Sequence, residues 1–356
     1  MVIMAVMGAI LIAIAIAAKM TDVGIDAQKL NDYVSARENN YQIARSAVEM
    51  GYVLLNSDTG DTDSLTEAWA AGSVSLDWQG THVTVSIVDE ESKFPLSAMQ
   101  QTPDKCEYLQ KALVRLFENG GLRSGQEAVD HFLDWVDTDS TRRSYGAENG
   151  DYEDKVIKDS PVDSLDEILN LPGWIERPKY ISTRPQNALQ AVVGGSVSAT
   201  GSGANPNASD IGQQSTAGNS GDSGPTYKLE ALGPQTQGEE ATTPWSEWVT
   251  VHSNGKININ TAPKEVLLCL DESMTKTIVD EIDSKRHSGA FKEVDALYNV
   301  TGMDADLLFR IQDYLCVKSE IFSVDAVVQA YPGQVTLHTV VDRSQGNVKI
   351  LRWEVK

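Results

Sequence analysis

Cysteine is scarce in this sequence, with only Cys106, Cys269 and Cys316 among 356 residues. So few cysteines exclude a disulfide scaffold, although Cys269 and Cys316 could pair in an oxidising compartment. Buried free thiols are the alternative. Positive charge is also in deficit, because 29 Lys and Arg accompany 51 Asp and Glu, for a formal net charge of −22. This balance argues against a nucleic-acid partner, which would need a basic surface to bind phosphate.

Residues 1–18 contain no charged side chain and only one glycine. At about 1.5 Å per residue, a helix over this run spans most of the hydrocarbon core of a bilayer. Residues 19–56 contain no proline, and their apolar residues recur mainly at three- and four-residue steps, which predicts one apolar helix face. We therefore expect a single stem helix with a transmembrane part at 1–18 and a part outside the membrane at 19–56. A cleaved signal peptide, although its basic start is missing, and a plain signal-anchor are the alternatives.

The rest of the chain predicts an α+β fold. Segment 57–96 contains alternating apolar and polar residues, which indicate two strands. Segment 319–356 contains three β-rich runs separated by turn residues, and we expect it to complete the same antiparallel sheet. The runs are Ile321–Tyr331, Gln334–Asp342 and Val348–Val355. Segments 97–182 and 245–318 are mostly helical in pattern, so a large helical domain is predicted between the strands. The predicted helices are Lys105–Asn119, Gln126–Val136, Asp163–Leu171, Met274–Ser284, Lys292–Val300 and Asp304–Leu315, and Trp245–His252 is a predicted strand.

The two helical segments contain similar sequences. Leu165–Gly173 (LDEILNLPG) aligns with Val294–Gly302 (VDALYNVTG), and upstream Lys93–Leu96 aligns with Lys256–Ile259 as a short extended piece. Short helices joined by a glycine-centred hairpin suggest a helix-hairpin-helix-like unit, whose backbone N–H groups can bind phosphate. Acidic loops and the missing N–H of Pro172 argue against that role here.

Residues 183–244 are dominated by small polar residues and contain almost no aromatic side chains. Such a composition cannot bury enough apolar surface to offset the entropy of ordering, so we expect a flexible insertion. Within it, Gly221–Gly224 matches the nucleophile motif of serine proteases. A catalytic serine needs a positioned base and a rigid oxyanion pocket, and this composition provides neither. We expect a protein that is not an enzyme, with a secreted hydrolase as the competing hypothesis.

Carboxylates are concentrated in the loop between the second and third predicted helices. They belong to Asp134, Asp137, Asp139, Glu148, Asp151, Glu153 and Asp154. Side chains of one charge repel each other unless a cation lies among them, and Ca²⁺ takes six to eight oxygen ligands. Asp137 and Asp139 have the spacing that begins an EF-hand loop, but the later spacing does not match. The alternative is a solvated acidic loop that Arg142 and Arg143 partly neutralise.

Three segments give the chain its closest resemblance to a family. They are DWVDTD with the later GAENGDY, SLDEILNLPG, and KININTAPKEVLLCL. Together with the uncharged stem and the closing strands, they resemble the K-type minor pseudopilins of type II secretion systems. The resemblance implies a pilin-like sheet head with the helical domain inserted between its strands. Most pilins carry a Glu near mature position five, whereas this sequence has Ala5. In ordinary subunits that Glu neutralises the N-terminus of the subunit above, and a tip subunit has no subunit above it.

The resemblance also implies a location and partners. The protein would cross the bacterial inner membrane once, with its head in the periplasm. It would act as a non-catalytic tip and assembly-initiation subunit of the pseudopilus, in complex with I- and J-type minor pseudopilins and on the major pseudopilin fibre. No nucleic acid is expected among its partners. The alternative is a minor pilin of a related type IV pilus or of a DNA-uptake or adhesion system.

Calcium is a further implication of the resemblance. Members of the family bind calcium in the inserted domain, and we expect a structural role for the ion here. The positions that match are Asp134, Asp137, Asp139, Glu148 and Asp151.

Overall fold

The computed structural model describes residues 2–78, 80–101, 103, 106–122, 124–152, 157–174, 227–228 and 245–356. Its α-helices are α1 (Val2–Ser57), α2 (Leu96–Gln101), α3 (Glu107–Asn119), α4 (Gly125–Val136), α5 (Lys264–Cys269), α6 (Lys276–Ser288) and α7 (Ala305–Ile311). Its strands are β1 (Val74–Trp78), β2 (Thr81–Asp89), β3 (Phe94–Pro95), β4 (Tyr227–Lys228), β5 (Val249–Thr250), β6 (Ile257–Asn258), β7 (Leu315–Cys316), β8 (Ile321–Ala330), β9 (Gly333–Asp342) and β10 (Lys349–Val355).

The stem is one unbroken helix, as predicted, and its second half packs on the sheet. Ala44 and Val48 are fully buried in the core that α1 shares with the strands. The helix and sheet approach closely at Gly51, where an added Cβ would lie 2.7 Å from a methyl group of Val324. Within the described ranges, no helix is both long and apolar enough to cross a membrane, so the transmembrane part predicted at 1–18 is not confirmed.

A six-stranded sheet forms the head, with the strand order β10-β9-β8-β2-β1-β4 and antiparallel pairing throughout. The closing strands β8–β10 therefore complete the sheet that β1 and β2 begin, as the alternating patterns predicted. Val83 on β2 pairs with Val328 on β8, and Ile87 pairs with Val324. These apolar residues face α1 and contribute to the core of the head.

The helical body, here the described residues between β2 and β8 apart from β4, is inserted between two neighbouring strands. β2 ends at Asp89, and its partner β8 begins at Ile321. The body has its own core, which includes Phe117, Phe132 and Ile257. The head and the helical body thus have separate apolar cores, in agreement with the predicted division into a head and an inserted domain.

The helical body contains two halves, and each half includes one short pair of parallel strands. In the first half β3 pairs in parallel with β5, and in the second half β6 pairs in parallel with β7. The matching LDEILNLPG and VDALYNVTG segments end at Gly173 and Gly302, which have positive φ values of 80° and 92°. At Gly173 a Cβ would also lie 2.7 Å from Ala128 Cα, so this position requires glycine.

Three predictions of local structure were wrong. The helices predicted at Asp163–Leu171 and Lys292–Val300 are short 3-10 helices, Leu165–Glu167 and Val294–Asn299. In the first, side-chain oxygens of Ser164 and Glu167 accept from the backbone N–H groups of Asp166 and Asp163 and so cap the start of the turn. The strand predicted at Trp245–His252 is limited to β5, because Trp245 and Trp248 form a 3-10 turn that buries both indoles.

The predicted insertion at 183–244 lies outside the described residues, apart from β4. There Tyr227 and Lys228 form a short edge strand that pairs with Leu76 and Ser75 of β1. The three cysteines are free thiols, so no disulfide joins Cys269 to Cys316.

Candidate functional site

The predicted calcium ligands lie in the loop that follows α4, and the structure brings three of them together. Asp137 is the residue at which α4 ends, so a rigid element positions its carboxyl group. Asp137, Asp139 and Glu148 each offer a carboxylate oxygen, and these oxygens lie within 4.8 Å of one another. Hard cations prefer oxygen ligands, so the chemistry of this donor set fits Ca²⁺.

Two buried oxygens of this acidic cluster have no hydrogen-bond partner. They are Asp137 Oδ1 and Glu148 Oε1, on side chains that are 5% and 9% exposed. Burial raises the pKa of both carboxyl groups, although Arg143 opposes the shift at Asp137. An unpaired buried carboxylate oxygen is costly, and a cation between the two would satisfy both.

Asp159 acts on the same cluster through its charge, and sequence reasoning missed it. Its charge contributes to the raised pKa of Glu148, and its buried Oδ1 also lacks a hydrogen-bond partner. Its φ of 49° is unusual for a residue other than glycine, although Asp tolerates this region better than most. The available signal was its closeness in sequence to the acidic loop. Glu153 and Asp154 of that loop lie outside the described residues.

Asp134 and Asp151 have partners of their own. Arg143 Nη1 donates to Asp134 Oδ1 at 2.7 Å and also to Asp137 Oδ2, so the arginine neutralises part of the loop. Asp151 Oδ2 accepts from the backbone N–H of Glu148 at 3.0 Å. These two predicted ligands therefore support the loop backbone, whereas Asp137, Asp139 and Glu148 present the oxygens that converge.

A second constellation joins the head to the helical body at Asp89, the last residue of β2. Asp89 Oδ2 accepts hydrogen bonds from Thr261 Oγ1 at 2.5 Å, Ser319 Oγ at 2.7 Å and Asn258 Nδ2 at 3.3 Å. Its Oδ1 accepts from the backbone N–H of Glu91 at 2.8 Å. Burial nevertheless raises the pKa of Asp89 to about 6. Four donors thus stabilise one buried carboxylate at the point where the chain leaves the sheet.

Residues 257–263 (ININTAP), from the KININTAPKEVLLCL segment, provide two of these donors and are themselves held in place by their neighbours. Asn260 donates to the backbone carbonyl of Phe291 at 3.0 Å and accepts from its N–H at 2.8 Å. Arg286, which is buried, donates to the carbonyls of Ile259 and Ala262 at 3.1 and 2.7 Å. The sequence had singled out this segment without a role, and the structure shows that it fastens α6 and the head to one another.

Arg343, at the end of β9, completes the junction from the side of the stem. It forms ion pairs with Asp58 and Asp63, and its Nε donates to the carbonyl of Ser319 at 3.2 Å. Asp63 is fully buried, so its charge depends on this arginine. The end of α1, the sheet and the segment between β7 and β8 are therefore tied together through one guanidinium group.

Comparison with known proteins bears on both halves of the helical body. Two family models, each described as "Type II secretion system (T2SS), protein K", match residues 92–178 and 257–313. A chain of the solved GspK-GspI-GspJ complex from the type 2 secretion system of enterotoxigenic Escherichia coli has a similar fold, with a TM-score of 0.57 and 12% identity. The match covers 93% of this chain and 98% of that chain. No curated protein matches. Both halves of the helical body therefore match the protein K family of type II secretion systems, which supports the role of a minor pseudopilin in type II secretion.

Proposed function

We propose that this protein is the non-catalytic tip subunit of a periplasmic pseudopilus and helps to start its assembly. The observation that carries the proposal is the position of the helical body. Asn40 in α1 donates to the carbonyl of Tyr331 at the β8–β9 turn, whereas Arg343 contacts the carbonyls of Leu55 and Ser319 at the opposite end of the sheet. The body is inserted at this second end, away from residues 1–39.

This position supports an end location in a fibre. A subunit inside a helical fibre must leave room for a neighbour above its head, and the inserted body occupies that space. The uncharged run at 1–18 supports anchoring in the inner membrane before assembly. The I- and J-type minor pseudopilins are the proposed partners, since the similar GspK chain was solved in a complex with GspI and GspJ.

We also propose that calcium binds in the acidic cluster and has a structural role. Asp137, Asp139 and Glu148 would hold the ion, with Asp159 as a further oxygen donor. When bound, the ion supplies positive charge that offsets the mutual repulsion of these carboxylates. The support is the pair of buried oxygens without hydrogen-bond donors on Asp137 and Glu148.

Light scattering tests the tip proposal. The chain from Gln28 onward would be mixed with the soluble heads of the I- and J-type minor pseudopilins of the same system, once with calcium and once with EDTA. We expect a discrete one-to-one-to-one complex in calcium. The major pseudopilin head, mixed in the same way, is the control and should not replace either partner. Absence of a complex in both buffers would overturn the proposal.

A further inference from the structure

Glu91 is the least well satisfied charged group at the junction between head and helical body. Its side chain is fully buried. Glu91 Oε2 accepts from the backbone N–H of Glu320 at 3.2 Å and lies 3.8 Å from Cys316 Sγ, while Oε1 makes no hydrogen bond. Among the described residues, no lysine or arginine forms an ion pair with Glu91. An ionised carboxylate in this position would be buried without a counter-charge.

The neighbouring Glu90 lies in the same turn, but both of its buried carboxylate oxygens accept hydrogen bonds. Its Oε1 accepts from Lys93 Nζ at 2.7 Å and from Ser323 Oγ at 2.8 Å, and its Oε2 accepts from Thr250 Oγ1 at 2.5 Å. These contacts hold the pKa of Glu90 below its usual value in spite of burial. The two side chains therefore have opposite environments although they are adjacent in sequence.

The titratable groups that face Glu91 come from three parts of the chain, and none of them is basic. Asp89 lies on its own segment, Glu320 precedes β8, and the thiol of Cys316 belongs to β7. Burial, with the charges of Asp89 and Glu320, raises the pKa of Glu91 to about 8, and the backbone N–H groups of Glu320 and Asn254 oppose that shift.

Neither Arg343 nor Lys256 forms an ion pair with Glu91 in the described part of the chain. Arg343 pairs with Asp63, whose charge also acts on Asp89, and the charge of Lys256 opposes the raised pKa of Cys316. Asp89 has four hydrogen-bond donors and Glu91 has few, so near neutral pH the negative charge resides on Asp89 and the proton on Glu91.

We propose that Glu91 is a proton-dependent latch between the head and the helical body. In its neutral form Glu91 packs between Asp89, Cys316 and Glu320 and lets the junction close. Loss of the proton places a second negative charge beside Asp89 in a buried site. The repulsion then acts on the contacts of Asp89 with Asn258 and Thr261, which are among the hydrogen bonds between the helical body and the sheet.

The direction of the pH effect follows from the raised pKa. In the unfolded chain Glu91 titrates near its ordinary value of 4.5, and in the folded protein near 8. The stabilisation from neutral Glu91 is therefore fully present below pH 4.5 and is lost as the pH rises through 8. Glu90 has a lowered pKa, so its contribution is lost only under acidic conditions.

Thermal unfolding of the full chain in detergent, from pH 5 to pH 9, tests the latch with three proteins. Glu91→Gln imitates the neutral side chain, so its melting temperature should match that of the wild type at pH 5 and exceed it by roughly 5 °C at pH 9. Glu90→Gln, the matched control, should melt at a lower temperature than the wild type at every pH above 6. If Glu91→Gln follows the pH profile of the wild type, the proposal is wrong.

Hydrogen exchange of the wild-type chain gives a second readout that needs no variant. After correction for intrinsic rates, amides in segments 89–92 and 254–261 should exchange at least several-fold faster at pH 8.5 than at pH 6.5. Amides of α4 in the body core should not change. A junction whose corrected exchange rates are the same at both pH values would overturn the latch, even if the glutamine variant fails to fold.

Discussion

The indole rings of Trp174 and Trp245 meet edge to face with their centroids 6.3 Å apart, although residues 175–244 separate them in sequence. Both side chains are almost fully buried, and Phe117 lies against each of them, at 4.9 Å and 4.5 Å. The core of the helical body therefore contains both ends of this segment side by side. A short connection could join them without disturbing the aromatic cluster.

We expect the fold to tolerate replacement of residues 175–244 by about six Gly and Ser residues. Shortening the loop more than tenfold lowers the free-energy cost of closing it by roughly 2 kcal/mol. This gain offsets the loss of the two-residue strand β4. The melting temperature should stay within a few degrees of the wild type. Tyr227→Pro in the full chain is the control that measures the contribution of β4 alone. Loss of cooperative unfolding in the shortened chain would contradict this prediction.

Thr261→Val should destabilise the protein by about 1–3 kcal/mol, because it removes a hydrogen-bond donor from the buried carboxylate of Asp89 while keeping the side-chain volume. Chemical denaturation at pH 7 measures the effect. Thr301→Val is the matched control, since its hydroxyl donates to Glu281 at an exposed site and should matter by less than about 0.5 kcal/mol. If both variants lose the same free energy of unfolding, the junction hydrogen bond contributes no more than the exposed one.

The double variant Asp137→Ala/Glu148→Ala should have a lower melting temperature than the wild type in calcium. In EDTA the two should be nearly the same, because the removed oxygens then bind no ion. A ligand at 100 times its Kd stabilises the folded state by about 2.7 kcal/mol, which sets the scale. Glu118→Ala/Asp295→Ala removes two exposed carboxylates and should behave like the wild type in both buffers. A loss of equal size with and without calcium would argue against the structural ion.

Asp271→Asn should destabilise the helical body at pH 7 and destabilise it clearly less at pH 2. Arg310 donates two hydrogen bonds of 2.9 Å to this carboxylate and holds its pKa well below the ordinary 3.8. The backbone N–H of Ser273 and the hydroxyl of Tyr108 add to the effect. A group with a lowered pKa stabilises the fold above its unfolded pKa, and that contribution is lost as the pH falls.

Urea denaturation at the two pH values measures the difference between Asp271→Asn and the wild type. Glu107→Gln is the control, because its partner Lys111 lies on an exposed helix surface. It should change stability little at either pH. A difference for Asp271→Asn that stays the same at both pH values would contradict the assignment to an ionised carboxylate.

Local sequence patterns were sufficient to predict a helix or strand where one face of that element is apolar along most of its length. The amphipathic runs at α3 and α4 and the alternating runs of β8 and β9 were predicted within a few residues, since burial of one face follows directly from their period. The predicted helices at Asp163–Leu171 and Lys292–Val300 were wrong because they are too short for that argument. Each segment reaches a glycine with positive φ, Gly173 or Gly302, within a few residues, which leaves no room for a longer helix.

The acidic loop was identifiable from composition. Which of its carboxylates pair with an arginine and which have no hydrogen-bond donor was not identifiable. Asp134 pairs with Arg143, while Asp137 and Glu148 present oxygens without donors, and nothing in the spacing of these residues distinguishes the two environments. The same holds for Asp159, which the fold brings to the cluster from outside the predicted set. Burial and the position of one arginine made the difference.

Hydrophobic periodicity and turn residues along continuous stretches were sufficient to predict the stem helix, the antiparallel head and the inserted helical body. How these parts are joined depends on contacts between distant segments, which no local pattern contains. Asp89, Glu91, Asn258, Thr261 and Arg343 come from three distant parts of the sequence, and each on its own resembles an ordinary polar residue. They become a junction because the ends of β2 and β8 bring them into one buried space, where every charge must find a partner or keep its proton.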